Sequence, residues 1–512
     1  FLQTTRPHRA RSETQLRRAR DLQSCAPVQS LPEPNRTTTL FFLQVVEALV
    51  DVGWMFESTQ SEEVPDATLY AVPPASSAKS KSFSSRKEVK KRLRQVLLKR
   101  RDEQLQEPTV KRFIKRMERP RRHGGRQVSV QDLFADGEDL SDDIRRRLRA
   151  SDQTSCELLR GAVEPSLEKV TDGRDPYTGL KLRDIWRYCR YTWSLPYNSQ
   201  PGRRIYYLVR DQARPRDPIM GIGALGSSPI QISPRDNAIG WTLESLRELA
   251  SGSEADRGLA QRRFQALKET VRSAIREIYK EDLVDEGILP ETRSQRTSQR
   301  SLRNLKSFLE SGPLVSRMDG PSEKTPVIEA TKTPFYQQKR ARALLNLYGA
   351  LAKFERARRE SDDSTTGCIK SLAARPDGRS ALKQALRNLK KRQAGSSVMS
   401  ITTCGAIPPY NPILGGKLAS FLMASPQVIE DYRQKYEDHS SHIASRMKGE
   451  KMVRDNSLTL LTTTSLYHVG SSQYNRLKAP TKNGELRFHE LEERTSGFGS
   501  VHFSERTYDT LQ

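Results

Sequence analysis

Residues 398–424 read VMSITTCGAIPPYNPILGGKLASFLMA. The order inside this stretch is what sets the fold. Val398, Ile401 and Thr403 belong to a β-branched run that predicts a strand. A Pro- and Gly-rich turn follows, and KLASFLMA then has the apolar spacing of a helix. A helix start presents unpaired N–H groups and a partial positive charge. Gly415 and Gly416 let backbone approach a ligand without a Cβ, and Lys417 adds charge. Asn411, Gly415, Gly416 and Lys417 are therefore the candidate cofactor-binding set. A Walker A loop is excluded, because Asn411 stands where its first glycine belongs and Leu418 where its Ser or Thr belongs. Three readings stay open for the glycines: a tight turn before a buried helix, a coenzyme phosphate, and a nucleic-acid phosphate.

Downstream, QVIEDYRQKYEDH after Pro426 predicts a second helix, and SLTLLTTTSLY (457–467) a strand. The sequence thus runs strand, glycine turn, helix, strand, which predicts an α/β fold. In TTTSLYHVGSSQYNR (462–476), hydroxyls, an amide and an arginine converge. Ser465, Tyr467 and Tyr474 are the candidate catalytic residues, with tyrosine as general acid for acyl transfer. The same side chains suit a phosphate backbone, or simply a polar loop. The histidines have no H-E-x-x-H spacing, and no metal site is expected.

Upstream, GRRIYYLVRD (202–211) and IMGIGALGS (219–227) predict a hairpin. Gly221, Gly223 and Gly226 inside the second strand mark close approach of backbone or ligand. SPRDNAIGW (233–241) reads as a turn that buries Trp241. In KLRDIWRYCRYTW, Trp186, Tyr188, Tyr191 and Trp193 read mainly as core. Residues 243–400 are charge-rich and helical in pattern, interrupted by RSQRTSQRS and RRESDDSTTG. From Val128 to Leu167 the pattern is again helical.

The chain has 512 residues and a net charge of +25, with 35% hydrophobic and 29% charged residues. This surplus favours a polyanionic partner. It is concentrated in residues 86–126, where seventeen bases face five acids. Two apolar stripes, Val89/Leu93/Val96/Leu97 and Val110/Phe113/Ile114/Met117, predict two amphipathic helices there. Lys90, Lys91, Arg92, Arg94, Arg112 and Arg116 are the candidate nucleic-acid contacts. Five scattered cysteines without a C-x-x-C pair fit a reducing compartment and a cytoplasmic protein. No stretch approaches the roughly 18 apolar residues of a membrane span, and no signal peptide is visible. The first residue is Phe, so the start is expected to be missing.

RDIWRYCRYTW, PGRRIYYLVRD, IMGIGALGSSPIQISPRDNAIGW, CGAIPPYNPILGGKLASFLMASPQV and LTTTSLYHVGSSQYNRL resemble the family of Druantia anti-phage system protein DruA, over residues 183–241 and 404–477. The resemblance implies a bacterial defence component accompanied by a large helicase-like protein. It supplies no catalytic residues. Residues 243–400 look like an expansion relative to that family, and the ending TYDTLQ like a truncation. YNPILGGKLASFLM is also similar in kind to the coenzyme A loop of GNAT acyltransferases, which implies acetyl-CoA or another acyl-CoA. The usual basic or glutamine residue before the glycines is replaced here by Pro412, Ile413 and Leu414.

The expected architecture is α/β, with a mixed GNAT-like sheet, a large helical insertion and a basic, helical N-terminal region. Residues 1–36 are a flexible basic arm. Residues 37–126 are a small helical unit, with the outline of a winged helix, plus the basic helices. Residues 127–241 and 397–512 are the two parts of the α/β domain, and 242–396 the charged insertion. The expected function is a defence component engaging nucleic acid beside a helicase-like partner. Two alternatives stay open: an acyl-CoA-dependent transferase, and a transposase-like DNA-binding protein without catalysis.

Overall fold

The structure is a computed structural model. It describes residues 8–51, 55–59, 68–72, 83–149, 161–197, 202–312, 320–322, 324–362, 364–414, 416–454, 456–464, 474, 477–481 and 484–491. At its centre is a five-stranded mixed sheet of β1 (Pro165–Lys169), β2 (Arg204–Asp211), β3 (Ile219–Ser227), β4 (Val398–Ala406) and β5 (Leu460–Thr462), in that spatial order. β1 to β4 pair antiparallel. β4 and β5 pair parallel, with Val398 opposite Leu460 and Ser400 opposite Thr462. The predicted hairpin of β2 and β3 is present, and so is the order strand, helix, strand after Val398. A parallel pair needs a crossover, and the helices Lys417–Met423 and Pro426–Tyr436 supply it.

Both faces of the sheet are covered. On one face Leu208, Ile222 and Ala224 pack with Phe113 and Met117 of the helix Pro108–Glu118 and with Ile185 and Trp186 of the helix Leu182–Tyr191. On the other, Ile205, Tyr207, Leu225, Met399 and Ile401 pack with Met423, Val428 and Tyr432. This double burial explains why β3 is buried from Ile219 to Gly226 rather than alternating. Its glycines answer to crowding. A Cβ on Gly221 would stand 2.8 Å from the Gly405 carbonyl oxygen, and one on Gly223 would overlap Met423 Sδ. Close approach was expected there, and the neighbours are the protein's own atoms. The pairing of β3 with β4 slips between Ala224 opposite Thr403 and Leu225 opposite Ile401, which leaves Thr402 as a bulge.

Between β3 and β4 the chain forms a helical body with a core of its own, built from Phe264, Leu267, Leu344, Leu347, Phe354 and Leu382, among others. Side chains of Thr242, Ser253, Ser298, Thr333 and Ser364 cap its helices. This body meets the sheet through a buried cluster. The Arg235 guanidinium donates to Asp236 Oδ1 at 2.6 and 2.9 Å, and Lys390 from the last helix, Pro376–Ala394, reaches Asp236 Oδ2 at 2.8 Å.

Several expectations are corrected. Residues 8–24, read as a flexible arm, form a helix whose Ala19 packs with Val46, Val50 and Phe56. The helical pattern expected over 128–167 gives way at both of its ends. Arg121–His123 and Arg126–Val128 form a hairpin just before it, turning through Gly124 and Gly125 at φ +54° and +78°, the left-handed pair that a tight hairpin needs. Pro165–Lys169 at the far end is the edge strand β1, and among the described residues between them Gly137–Arg149 is α-helical. SPRDNA is a short helix, Ser233–Ala238, and Trp241 is half-buried rather than core. Cys25, Cys189, Cys368 and Cys404 are not joined in disulfides, while Cys156 lies outside the described residues.

Candidate functional site

Two places gather the candidate functional residues. The first lies at the end of β4. The strand runs into Ile407, and the buried Tyr410 anchors the following turn by donating its phenol to Asp211 Oδ2 at 2.7 Å. Asp211 Oδ1 in turn accepts from the amides of Glu164 and Ala213 at 2.8 and 3.1 Å. The short helix Asn411–Leu414 then leads to Gly416 and the helix Lys417–Met423.

Gly416 has φ −103° and ψ 0°. This is not the left-handed region, so a positive φ does not account for glycine at this position. Its carbonyl accepts from the Ser420 amide at 3.0 Å and from Ser420 Oγ at 2.8 Å. Asn411 and Lys417 are exposed. Gly415, Ser465 and Tyr467 lie outside the described residues.

Tyr474 is the one catalytic candidate that is described. It stacks on Phe488 at 5.0 Å and lies within hydrogen-bonding reach of Ser420, Thr463 and Cys404. Burial pushes its phenol well above the ordinary tyrosine range, Cys404 adds to the rise, and the hydroxyls of Thr463 and Ser420 oppose it. Such a phenol stays protonated at neutral pH and can donate a proton or a hydrogen bond. The Cys404 thiol stands 3.5 Å from Ser420 Oγ. The fold therefore joins Gly416 and Tyr474 with three residues that the sequence reading did not single out as site residues: Cys404, Ser420 and Thr463. Cys404 and Thr463 come together because β4 and β5 run parallel. That pairing spans some sixty residues of chain, and no local pattern announces it. Among the described residues, no group of three His, Cys, Asp or Glu is arranged to hold a metal.

The second place is the basic face of the N-terminal helices Phe83–Gln106 and Pro108–Glu118. Val110, Phe113 and Met117 bury one side of the second helix, which leaves Lys111, Arg112, Lys115 and Arg116 exposed on the other. The hairpin that follows adds Arg122 and Arg126 at its exposed surface. Lys111, Lys115, Arg119 and Arg122 make no ion pair among the described residues. Arg116 reaches Asp184 at 3.3 Å and Arg112 Nε donates to the Pro108 carbonyl oxygen at 3.3 Å. On the first helix, Lys91 and Arg94 are exposed and Leu97 is buried. Lys90 and Arg92 belong to the helix, but their side chains lie outside the described part. Among the described residues, no helix is long and apolar enough to cross a membrane.

Comparison with known proteins bears on the sheet. The profile of the family described as "Druantia protein DruA" matches residues 142–250 and 383–512. A curated relative, Druantia protein DruA of Escherichia coli (strain UMEA 4076-1), is 35% identical over 85 residues, which is 17% of this chain and 19% of that relative. The match thus spans about a fifth of the relative's length. No solved structure matches the chain. All five strands of the central sheet, the glycine turn and Tyr474 fall inside the two matched segments, and most of the helical body falls between them. It is through these two segments that the chain is similar to the DruA family.

Proposed function

We propose that the chain is a component of a cytoplasmic anti-phage defence system that engages nucleic acid together with a helicase-like partner. The observation that carries the nucleic-acid reading is the cationic face of the helix Pro108–Glu118 and the adjoining hairpin. There Lys111, Lys115, Arg119 and Arg122 are exposed and have no carboxylate partner among the described residues. A surface left uncompensated in this way attracts phosphates, and each phosphate neutralised releases counterions. The helix is held on the central sheet through Phe113 and Met117, so its cations sit on a fixed frame.

The test is a triple charge reversal, Lys111→Glu, Lys115→Glu and Arg122→Glu, with binding to duplex and single-stranded oligonucleotides followed by fluorescence anisotropy across a salt series. All three positions are exposed, so the fold is expected to survive, with an unchanged circular dichroism spectrum. Affinity is expected to fall steeply with salt in the wild type. The log–log slope should become less negative by about 0.7–0.9 per phosphate contact removed. An unchanged slope removes this face from the interface.

A second reading rests on the end of β4. An acyl-CoA-dependent transferase of GNAT-like fold would use the helix start at Gly416 and Lys417 for the coenzyme phosphates, and the Tyr474 phenol as general acid. What favours it is a protonated phenol within reach of Cys404 on β4 and of Ser420, whose hydroxyl bonds the helix start at Gly416, with the Thr402 bulge two residues earlier on the same strand. Bulges are common beside active sites.

A further inference from the structure

Three turns meet at the ring of Tyr177. The first, at 175–180, holds the ring itself. Its buried Asp175 accepts from the Thr178 amide and hydroxyl at 2.6 Å through Oδ1, and from Arg210 Nη2 of β2 at 2.9 Å through Oδ2. The turn is thereby fixed to the sheet, and Tyr177 stays half-buried against the core of Phe113 and Trp186. The second turn is the tip of the hairpin at 121–128. From it Arg126 places its guanidinium carbon 5.9 Å from the Tyr177 centroid, and this exposed side chain makes no ion pair among the described residues. The hairpin rests on the Tyr177 turn. His123 Nε2 donates to the Pro176 carbonyl oxygen at 3.2 Å, and a Cβ on Gly179 would stand 2.7 Å from His123 Nδ1. The third turn joins β2 to β3. It brings the exposed Arg216 to 5.3 Å from the same centroid, while the distance from Arg216 to Asp132 Oδ1 is long, at 3.7 Å.

Arg216 is held there under strain. Its φ is +72° and that of Asp217 +46°. Pro215 precedes it, and the Asp217 amide donates to the Arg214 carbonyl oxygen at 3.3 Å. Arg216 thus occupies the turn position that usually takes glycine for its positive φ. Strained residues of this kind persist mainly where the placement of a side chain serves function. Both guanidinium carbons are farther from the ring than the roughly 3.5–4.0 Å of carbon atoms in contact, so neither is stacked flat on it. A ring on a rigid frame, with a cation from each of two neighbouring turns, offers what a single strand needs: a face for a base and charges for the phosphates beside it. Paired bases inside a duplex present no such face.

We propose that Tyr177, Arg126 and Arg216 form a stacking site for an unpaired nucleobase and its flanking phosphates. This rests on the nucleic-acid reading above and narrows it: the strand is single where it crosses the Tyr177 turn. The site continues the basic face, because Arg121 Nη2 donates to the Arg116 carbonyl oxygen at 2.9 Å and so ties the hairpin to the helix Pro108–Glu118.

The experiment compares the affinity of the full chain for a single-stranded oligonucleotide and for the same sequence as a duplex, by fluorescence anisotropy, with DNA and RNA in parallel. Tyr177→Leu keeps apolar bulk and removes the ring. It should weaken single-strand binding about tenfold, the scale of one lost base stack, and leave duplex binding unchanged. Its salt slope should stay that of the wild type, because no phosphate contact is lost. Tyr177→Phe should bind like the wild type. Arg216→Gly relieves the positive φ, so it should melt no lower than the wild type and yet bind single strands more weakly. A loss confined to single strands, on DNA or on RNA, supports the proposal. A wild type that binds no single strand, an unchanged single-strand affinity in Tyr177→Leu, or an equal loss on the duplex overturns it. Where Tyr177→Leu melts early, Arg216→Gly decides, and single-strand affinity equal to the wild type overturns the proposal. The two readings fail separately: if charge reversal at Lys111, Lys115 and Arg122 leaves the salt slope unchanged while Tyr177→Leu still weakens single-strand binding, the basic face is lost and the Tyr177 site stands.

Discussion

Lys417 is the residue on which the two readings of the glycine turn part. It is exposed at the first position of its helix, so nothing in the packing depends on it. Lys417→Ala should change stability by no more than roughly 0.5 kcal/mol, since alanine is a good helix former and the site is solvated. If the helix start receives a coenzyme phosphate, coenzyme A should raise the Tm of the wild type, and Lys417→Ala should lose most of that rise. A wild type that ignores coenzyme A would return the turn to a structural role. The sequence made Lys417 and Gly416 visible as a helix start, because glycine before an apolar run is a local signal. It could not show that Ser420 would tie its hydroxyl back to Gly416, nor that Tyr474 would lie against Ser420 and Cys404. Those meetings depend on the sheet being assembled.

At the scale of single elements, the sheet was legible where its strands are long and β-branched. Arg204–Asp211, Ile219–Ser227 and Val398–Ala406 announce themselves through Ile, Val, Tyr and Thr. Pro165–Lys169 does not. All five of its residues are half-buried, so it carries neither an apolar run nor an alternation. The hairpin at 121–128 was hidden in a run of arginines that resembles the helix before it, although Gly124-Gly125 was its one local signal. The contact of β3 with the crossover helix gives a sharper test. Gly223 lies directly under Met423. Gly223→Ala should cost about 1–3 kcal/mol by overpacking, and Met423→Ala about 2–5 kcal/mol by opening a cavity. Together they should cost less than their sum by 0.5 kcal/mol or more, roughly the coupling of residues in contact. Urea denaturation of the four proteins measures this, and strict additivity would mean that the two do not touch.

For the whole molecule, the joint between sheet and helical body is the informative place. Arg235 and Asp236 leave the end of β3, and Lys390 arrives from the last helix before β4, so a single buried carboxylate serves two cations from both sides of the joint. Asp236→Asn keeps the shape and removes the charge. It should destabilise by about 3–5 kcal/mol, because the two cations are left buried without compensation. Limited proteolysis should then cut first between residues 228 and 245. A variant as stable and as resistant as the wild type would show that the cluster is not what holds the joint.

The pairing of Ser227 with Met399 has one more implication. The chain leaves the sheet and rejoins it at the same point, so everything between hangs from what would otherwise be an ordinary hairpin. An unstructured loop of that length would make the β3–β4 contact slow to find, since distant segments lose much conformational freedom on meeting. The helical body removes that obstacle if it forms first from its own local contacts, because its completed core holds its two ends side by side. What looks like an interruption of the sheet then acts in time as the clasp that closes it.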